Sequence, residues 1–247
     1  MHEKVWLVGA GPGDPELLTL KAVKALRQAA IVLIDDLVNP AVLEHCPAAR
    51  VIPVGKRGGC RSTPQAFIQR LMLRYARQGQ CVVRLKGGDP CIFGRGGEEA
   101  AWLQAHGIAV EIVNGITAGL AGATACGIPL TLRGIARGVT LLTAHSQDDS
   151  EPDWAALAKG GTTLVVYMGV ARLAHIRAGL LAGGMPAGMP VAMIENASLG
   201  NQRHCRSSVA SMHQAASAFA LKSPAILVIG EVAGRASTLD LAQLAGR

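Results

Sequence analysis

Short apolar runs alternate with segments of helical periodicity along most of the chain. The run at 5–8 predicts a strand, and 15–29 predicts a helix because its large aliphatic residues recur about one turn apart. Further strands are predicted at 31–34, 81–85, 110–113, 139–143, 162–167, 190–194 and 225–229. Strands that alternate with helices are typical of sheets covered by helices. The pattern therefore predicts an α/β protein.

A second helix is predicted after Thr63 and Pro64, which favour a helix start. Its apolar face is expected to contain Phe67, Ile68, Leu71 and Tyr75. The segment 114–119 is rich in glycine and small residues, which favours a joint between domains. We expect two α/β domains, at 1–114 and 115–247, each a mixed sheet flanked by helices, with a cleft between them.

Composition limits the class of protein. The chain has 247 residues, enough for the core of one large domain or two small ones. Half of its residues are hydrophobic, yet no apolar run approaches the roughly 18 to 20 residues that span a bilayer. The amino terminus shows no leader pattern. We therefore expect a soluble, cytoplasmic protein without a membrane partner.

Cysteine and histidine spacing gives no sign of a metal. The six cysteines show no C-x-x-C spacing, and the seven histidines never stand four residues apart. A zinc site or a disulfide framework is therefore disfavoured, and reduced thiols are expected. We expect no metal.

The charge balance predicts an anionic partner. The formal net charge is +7, which suits nucleic acid, an acidic membrane or a polycarboxylate. Aromatic residues make up only 3% of the chain, which argues against a surface that stacks nucleic-acid bases. The basic residues are dispersed, which favours a compact anionic ligand, although a solvated basic surface has the same composition.

The segment 82–99 carries the strongest sign of a binding site. An apolar strand ends in the Gly-Gly-Asp-Pro of 87–90, and Arg95 then precedes a helix whose first turn holds two glutamates. Glycines allow a ligand to approach the backbone, Asp89 offers an acceptor, and Arg95 suits an anion. An ordinary capped turn is the alternative. The density of glycine and charge favours the functional interpretation.

The amino-terminal loop 9–15 follows a strand and precedes a helix, as a dinucleotide-binding loop does. Asp14 stands where the third glycine of that motif belongs, and it is better suited to cap a helix that begins at Pro15. Lys56 lacks the upstream glycine of a phosphate-binding loop. Both nucleotide-binding motifs are therefore disfavoured.

Five segments resemble, in order, the motifs of the tetrapyrrole methylase family. They are 7–15, 54–57, 84–99, 127–131 and 167–169, and the resemblance extends over about residues 5–235. R-L-K-G-G-D-P and F-G-R-G-G-E-E within 84–99 are the most specific of them. They resemble members that methylate uroporphyrinogen III at C2 and C7, giving precorrin-2 for sirohaem, cobalamin or haem d1.

The resemblance implies S-adenosylmethionine as co-substrate and a polycarboxylate tetrapyrrole as acceptor. The implied cofactor contacts are Pro12, Gly87, Gly88, Asp89, Ile92, Thr117, Ala118, Met168 and Ala197. The implied substrate contacts are Arg95, Glu98 and Arg133, and the implied catalytic residues are Asp35, Lys56 and Arg95. The family pattern has an acid followed by a basic residue where this chain has Asp35 and Asp36, and Asp35 is favoured.

The resemblance also implies a homodimer, and the scarcity of aromatic residues leads us to expect no nucleic-acid partner. Some family members carry a fused dehydrogenase and chelatase module ahead of the methylase. The methylase motifs begin at residue 5 here, so we expect this chain to stop at precorrin-2.

The proposed chemistry suits these residue types. Methyl transfer from a sulfonium is a displacement that depends mainly on proximity and orientation. The methylated macrocycle must then lose a proton, which Asp35 can accept; Lys56 can do so only with a lowered pKa. Arg95 stays protonated and is suited to hold a substrate carboxylate.

Several alternatives stay open at this point. Asp35, Asp36 and Glu98 also suit solvated or helix-capping acids, and Met168 also suits a core. Within the superfamily, the acceptor can instead be a later corrin intermediate, a ribosomal RNA ribose or a modified histidine of a translation factor. A basic RNA-binding protein without catalytic activity is the alternative from a different class.

Overall fold

Each half of the chain folds around its own five-stranded sheet. The computed structural model describes residues 4–55, 63–145 and 150–235. Contacts divide the chain into a first unit, Met1–Thr117, and a second unit, Ala118–Arg247. Two α/β units with helix-flanked sheets confirm the predicted fold class. The domain boundary after residue 114 and the cleft stay predictions.

The sheet of the first unit is parallel in every pairing of its described strands, so the mixed sheet predicted for this half is wrong. Its strands are β1 (Lys4–Gly9), β2 (Ile31–Ile34), β3 (Arg50–Pro53), β4 (Val82–Lys86) and β5 (Ala109–Val113). They are arranged in the order β3-β2-β4-β1-β5. The helices are α1 (Leu20–Arg27), α2 (Gln65–Arg77) and α3 (Gly96–Ala105). Because neighbouring strands are parallel, the carboxyl ends of β4, β1 and β5 meet at one edge, where open α/β sheets bind ligands.

Hydrophobic side chains cover both faces of this sheet, as expected of buried parallel strands. Leu7 and Val8 belong to core clusters on opposite faces because side chains alternate along a strand. Helix α2 buries Ile68, Met72 and Ala76, which stand four residues apart. Of the face predicted for α2, only Ile68 is fully buried. Phe67 is 48% exposed, and Leu71 and Tyr75 pack at the edge of the core.

The sheet of the second unit is mixed. Its strands are β6 (Val139–Thr143), β7 (Thr163–Tyr167), β8 (Pro190–Glu195), β9 (Arg203–Ser208) and β10 (Ala225–Ile229). Their order is β6-β7-β10-β8-β9, and only the β6–β7 pairing is parallel. The helices are α4 (Ala118–Ala125), α5 (Trp154–Lys159), α6 (Leu173–Ala182) and α7 (Met212–Phe219). Leu180, Met193 and Leu227 lie in the core of this unit.

The helix predicted at 15–29 is two elements. Asp14 accepts a hydrogen bond from the Glu16 amide at 2.9 Å and caps a short 3-10 turn, Pro15–Leu17. The backbone of Leu18 is extended, and α1 then begins after Thr19, whose hydroxyl accepts from the Ala22 amide at 3.1 Å. Two capping side chains in succession explain the division.

Two features are absent from residues 4–55, 63–145 and 150–235. No helix there combines the length and apolar character needed to cross a membrane. No group of three or more histidine, cysteine, aspartate or glutamate side chains there is arranged to hold a metal ion.

Candidate functional site

Three loops meet at the carboxyl ends of β1, β4 and β5 and form the main candidate site of the first unit. We call residues 9–13, 87–90 and 114–117 the glycine loops. The amide of Gly11 donates to the Gly88 oxygen at 3.2 Å, and the Gly88 amide donates to the Gly11 oxygen at 2.7 Å. The first two loops are therefore joined by paired backbone hydrogen bonds.

Glycine is required in these loops for close backbone packing. A Cβ atom at Gly9 would lie 2.5 Å from the Gly115 nitrogen and 2.6 Å from the Gly88 oxygen. Gly11 and Gly88 also have φ values of +73° and +68°, where glycine is strongly favoured. The loops therefore present mainly backbone groups at the edge of the sheet, as a surface that receives a ligand closely would.

Asp89 joins the second glycine loop to the third. Its side chain is buried, and Oδ1 accepts a hydrogen bond from the Cys91 amide at 2.7 Å. Oδ2 accepts from the Gly115 amide at 3.1 Å and from Asn114 Nδ2 at 3.4 Å. The sequence predicted an acceptor for a ligand. The structure shows a carboxylate whose two oxygens both accept hydrogen bonds from the protein.

Arg95 and Glu98 form an exposed ion pair at the start of α3. Arg95 Nη2 donates to Glu98 Oε2 at 2.6 Å, and Nε lies 3.1 Å from the same oxygen. This hydrogen bond lowers the pKa of Glu98 and raises that of Arg95. Arg95 has a φ of +58°, and Gly96 follows because a Cβ there would lie 2.5 Å from the Pro90 oxygen. The structure thus places two predicted substrate contacts side by side.

Asp35 follows β2 and is linked to a buried charge on the neighbouring strand. Arg84 Nη2 on β4 donates to Asp35 Oδ1 at 2.5 Å. The Asp35 side chain is 29% exposed, whereas Arg84 is 2% exposed. Asp36 is exposed and packs against Gly55. Asp35 is therefore the aspartate of this pair that has a buried cationic partner.

A buried cluster of charge extends from Arg84 to α3. Glu99 is fully buried, and its Oε1 accepts from Gln65 Nε2 at 2.8 Å, Lys86 Nζ at 3.2 Å and Arg84 Nε at 3.4 Å. Burial lowers the pKa of Lys86 and the charge of Arg84 lowers it further, while Glu99 and Asp35 oppose the shift. These charged contacts were not predicted from the sequence. The available signal was a pair of cationic residues two apart in an otherwise apolar strand.

In the second unit, predicted site residues lie at the carboxyl ends of β7 and β8. Met168 follows β7 with a φ of +55° and is 51% exposed, and Ala197 is buried after β8. Because β7 and β8 are each antiparallel to β10, both residues lie at the same edge of the sheet. Ala118 begins α4 there, since the Gly119 amide donates to the Tyr167 hydroxyl at 3.0 Å.

The other predicted residues occupy varied settings. Pro12, Gly87 and Ile92 are half-buried in the first unit, and Thr117 is buried at the end of the third glycine loop. Arg133 is exposed in a turn between the bridged residues Leu132 and Ala136. Lys56 lies outside the described residues.

Residues 4–213 match the family model described as Tetrapyrrole (Corrin/Porphyrin) Methylases. The chain belongs to the tetrapyrrole methylase family. This confirms the family suggested by the sequence motifs. The glycine loops, the Arg95–Glu98 pair and the carboxyl ends of β7 and β8 all fall within the matched span of this tetrapyrrole methylase.

The relatives and solved structures that are similar to this chain are themselves named as methyltransferases. The chain is 77% identical over 232 residues to the uroporphyrinogen-III C-methyltransferase of Pseudomonas aeruginosa, covering 94% of this chain and 95% of that protein. A Thermus thermophilus uroporphyrin-III C-methyl transferase structure, complexed with S-adenyl homocysteine, is 42% identical with a TM-score of 0.79. It covers 93% of this chain and 98% of its own. A cobalt precorrin-4 methyltransferase structure is 28% identical, with a TM-score of 0.84 and coverages of 94% and 96%.

Proposed function

We propose that this chain is an S-adenosylmethionine-dependent C-methyltransferase that converts uroporphyrinogen III to precorrin-2 by methylating C2 and C7, through precorrin-1. The observation that carries the proposal is 77% identity over 232 residues to a uroporphyrinogen-III C-methyltransferase. The joined glycine loops support it, because they place closely packed backbone at the ligand-binding edge of a parallel sheet.

The residues present fit S-adenosylmethionine. When bound, this co-substrate supplies an electrophilic methyl group on a sulfonium. The proposed contacts in the first unit are Pro12, Gly87, Gly88, Asp89, Ile92 and Thr117, and those in the second unit are Ala118, Met168 and Ala197. Glycine backbone allows close approach, and Asp89 fixes the loops through three hydrogen bonds. A structure 42% identical to this chain was obtained with S-adenyl homocysteine.

Cationic side chains suit the acidic acceptor. Uroporphyrinogen III is a polycarboxylate, and the surplus of positive charge in the chain favours its approach. We assign Arg95 and Arg133 to its carboxylates because a guanidinium presents five N–H donors in a planar fork. Arg95 pairs with Glu98 in this structure, so a substrate carboxylate competes with Glu98 for the guanidinium. Glu98 thereby helps to set substrate affinity.

The proton released after methylation needs an acceptor near solvent. Asp35 is the partly exposed carboxylate at the end of β2, and Arg84 fixes its Oδ1. We assign it the role of accepting that proton or of stabilising the cationic macrocycle. Lys56 is retained as a second candidate. The proposal further includes a homodimer located in the cytoplasm, without nucleic-acid or membrane partners.

The test is an anaerobic incubation with uroporphyrinogen III and radiolabelled S-adenosylmethionine. Methyl incorporation that depends on both compounds is expected, together with the changed absorption of the product. Binding of S-adenosylhomocysteine by calorimetry separates the two parts of the proposal. Binding of S-adenosylhomocysteine without methyl transfer to uroporphyrinogen III would indicate that another tetrapyrrole is the methyl acceptor. Absence of S-adenosylhomocysteine binding would overturn the proposal as a whole.

A further inference from the structure

We infer that Glu99 is a positioning residue, which acts through Arg84 to fix the carboxylate of Asp35 for the proton-accepting step. The inference rests on the proposed function for its catalytic meaning. Its structural basis is a continuous series of charged contacts within the first unit. Glu99 itself is fully buried and does not reach the surface.

Arg84 bridges the two carboxylates. Its Nη2 lies 2.5 Å from Asp35 Oδ1, and its Nε lies 3.4 Å from Glu99 Oε1. Nη1 also points to the backbone oxygens of Leu33 and Leu85, each at 3.4 Å. Because every nitrogen of the guanidinium faces an acceptor and the side chain is buried, the orientation of Arg84 depends on both acids.

Glu99 of α3 accepts hydrogen bonds from the other members of the buried charge cluster. Its Oε1 accepts hydrogen bonds from Gln65 of α2 and from Arg84 and Lys86 of β4. Its Oε2 accepts no hydrogen bond from the part of the chain that the structure describes, although Lys86 Nζ lies 3.2 Å away. A buried charge with an incomplete hydrogen-bond set is costly, and apolar residues commonly fill such volumes without loss of stability. This cost favours a role for Glu99 beyond packing.

Asp35 is the most exposed member of the series. Its side chain is 29% exposed, against 2% for Arg84, 5% for Lys86 and 0% for Glu99. The same helix turn that carries Glu99 also carries Glu98, the partner of Arg95. Glu99 therefore follows a predicted substrate contact of α3 directly in sequence, while its own side chain contacts the cations of β4.

The charges around Asp35 determine whether a change at Glu99 strengthens or weakens proton binding by Asp35. Among the described residues within ion-pair distance, Arg84 and Lys86 of β4 face Asp35, and Glu99 of α3 faces the same two cations. Asp36 is the adjoining acid on the chain. Removing the charge of Glu99 leaves two cations opposite Asp35, so the ionised form of Asp35 is favoured and it binds a proton less readily.

The first test is Glu99→Gln, which keeps the shape and one acceptor oxygen. We expect kcat near neutral pH to fall about tenfold with little change in KM for S-adenosylmethionine, because a weaker base accepts the proton. Relative to the wild-type enzyme, the acid limb of the kcat profile and the carbon-13 carboxyl signal of Asp35 should both respond at lower pH. Glu111→Gln is the control for loss of one paired glutamate charge, since Glu111 of β5 pairs with Lys4 of β1 and with Lys21 of α1.

An Asp35 titration that is the same in Glu99→Gln and in the wild-type enzyme overturns the inference, whatever happens to kcat. If Glu99→Gln does not fold, Arg84→Lys replaces it. That variant keeps the charge and removes the bridging fork, so the Asp35 titration should move up, and an unmoved titration overturns the inference. The titration needs no substrate. A shifted titration in a protein that transfers no methyl group therefore overturns the proposed function and leaves the structural link between Glu99 and Asp35.

Discussion

The backbones of Gly88 and Gly115 pack so closely that a Cβ atom at Gly115 would overlap the carbonyl oxygen of Gly88. The two residues belong to different glycine loops, and Asp89 holds these loops together through the Gly115 amide at 3.1 Å. Backbone contact between loops is therefore the structural basis of the candidate co-substrate surface.

Gly115→Ala should separate these loops. We expect a loss of about 1–3 kcal/mol in the free energy of unfolding, because overpacking displaces backbone, and at least tenfold weaker binding of S-adenosylhomocysteine. Chemical denaturation and calorimetry measure the two effects. Gly188→Ala is the control, since a Cβ at Gly188 meets no atom within 4 Å. Equal binding by Gly115→Ala and the wild-type protein would contradict the assigned role of the loops.

Asp89→Asn should weaken co-substrate binding through the same loops. The substitution replaces one carboxylate oxygen with an NH2 group. That donor then faces a second donor, the amide of Cys91 or of Gly115, and the amide loses its acceptor. A buried donor left in this way costs about 1–3 kcal/mol, which corresponds to roughly tenfold or more in affinity if the loops must reform on binding. Asp153→Asn, at the cap of α5, is the matched control. Unchanged calorimetric affinity would show that Asp89 does not shape the co-substrate surface.

Arg95→Ala should raise KM for uroporphyrinogen III about tenfold or more and leave S-adenosylhomocysteine affinity unchanged. The physical reason is the loss of a bidentate partner for a substrate carboxylate. Steady-state kinetics measure the first effect and calorimetry the second. The exposed Arg74 of α2 provides a control for loss of one positive charge, as Arg74→Ala. A larger effect on co-substrate binding than on KM for the tetrapyrrole would contradict this assignment.

Lys86 should give stability a pH dependence in the alkaline range. Burial lowers its pKa below 10.5, so between the folded-state pKa and 10.5 the unfolded chain binds more protons than the folded chain. The stability contribution of Lys86 therefore rises with pH across that window. Denaturation of the wild-type protein and of Lys86→Met at several pH values should show their stability difference moving in favour of the wild-type protein. A difference that stays constant would contradict the burial of a charged Lys86.

The sequence predicted the fold class and the buried strands because apolar runs mark strands covered on both faces. It missed β3 and β9, which lie at sheet edges and contain exposed polar residues, so their pairing depends on the neighbouring strand. The predicted apolar face of α2 included Phe67, whereas the helix buries Met72 and Ala76 and leaves Phe67 exposed. The spacing of apolar residues in α2 does not by itself decide which of several adjacent faces is buried.

The candidate site was predicted in part. Glycine density in 87–90 and the resemblance to tetrapyrrole methylases indicated the loops, because close backbone packing requires glycine. The partners of Asp35 were not predicted, since Arg84 and Glu99 stand on different elements and meet only in the folded unit. Asp89 was predicted as an acceptor for a ligand. Its hydrogen bonds to Asn114 and Gly115 were not predicted, because those residues meet it only in the folded unit.

The mass of the product formed from uroporphyrinogen III and S-adenosylmethionine under anaerobic conditions tests the central claim most directly. We predict that a single tetrapyrrole product gains two methyl groups, with two molecules of S-adenosylhomocysteine released for each. A tetrapyrrole recovered without added methyl groups, from protein that binds S-adenosylhomocysteine, would contradict the claim.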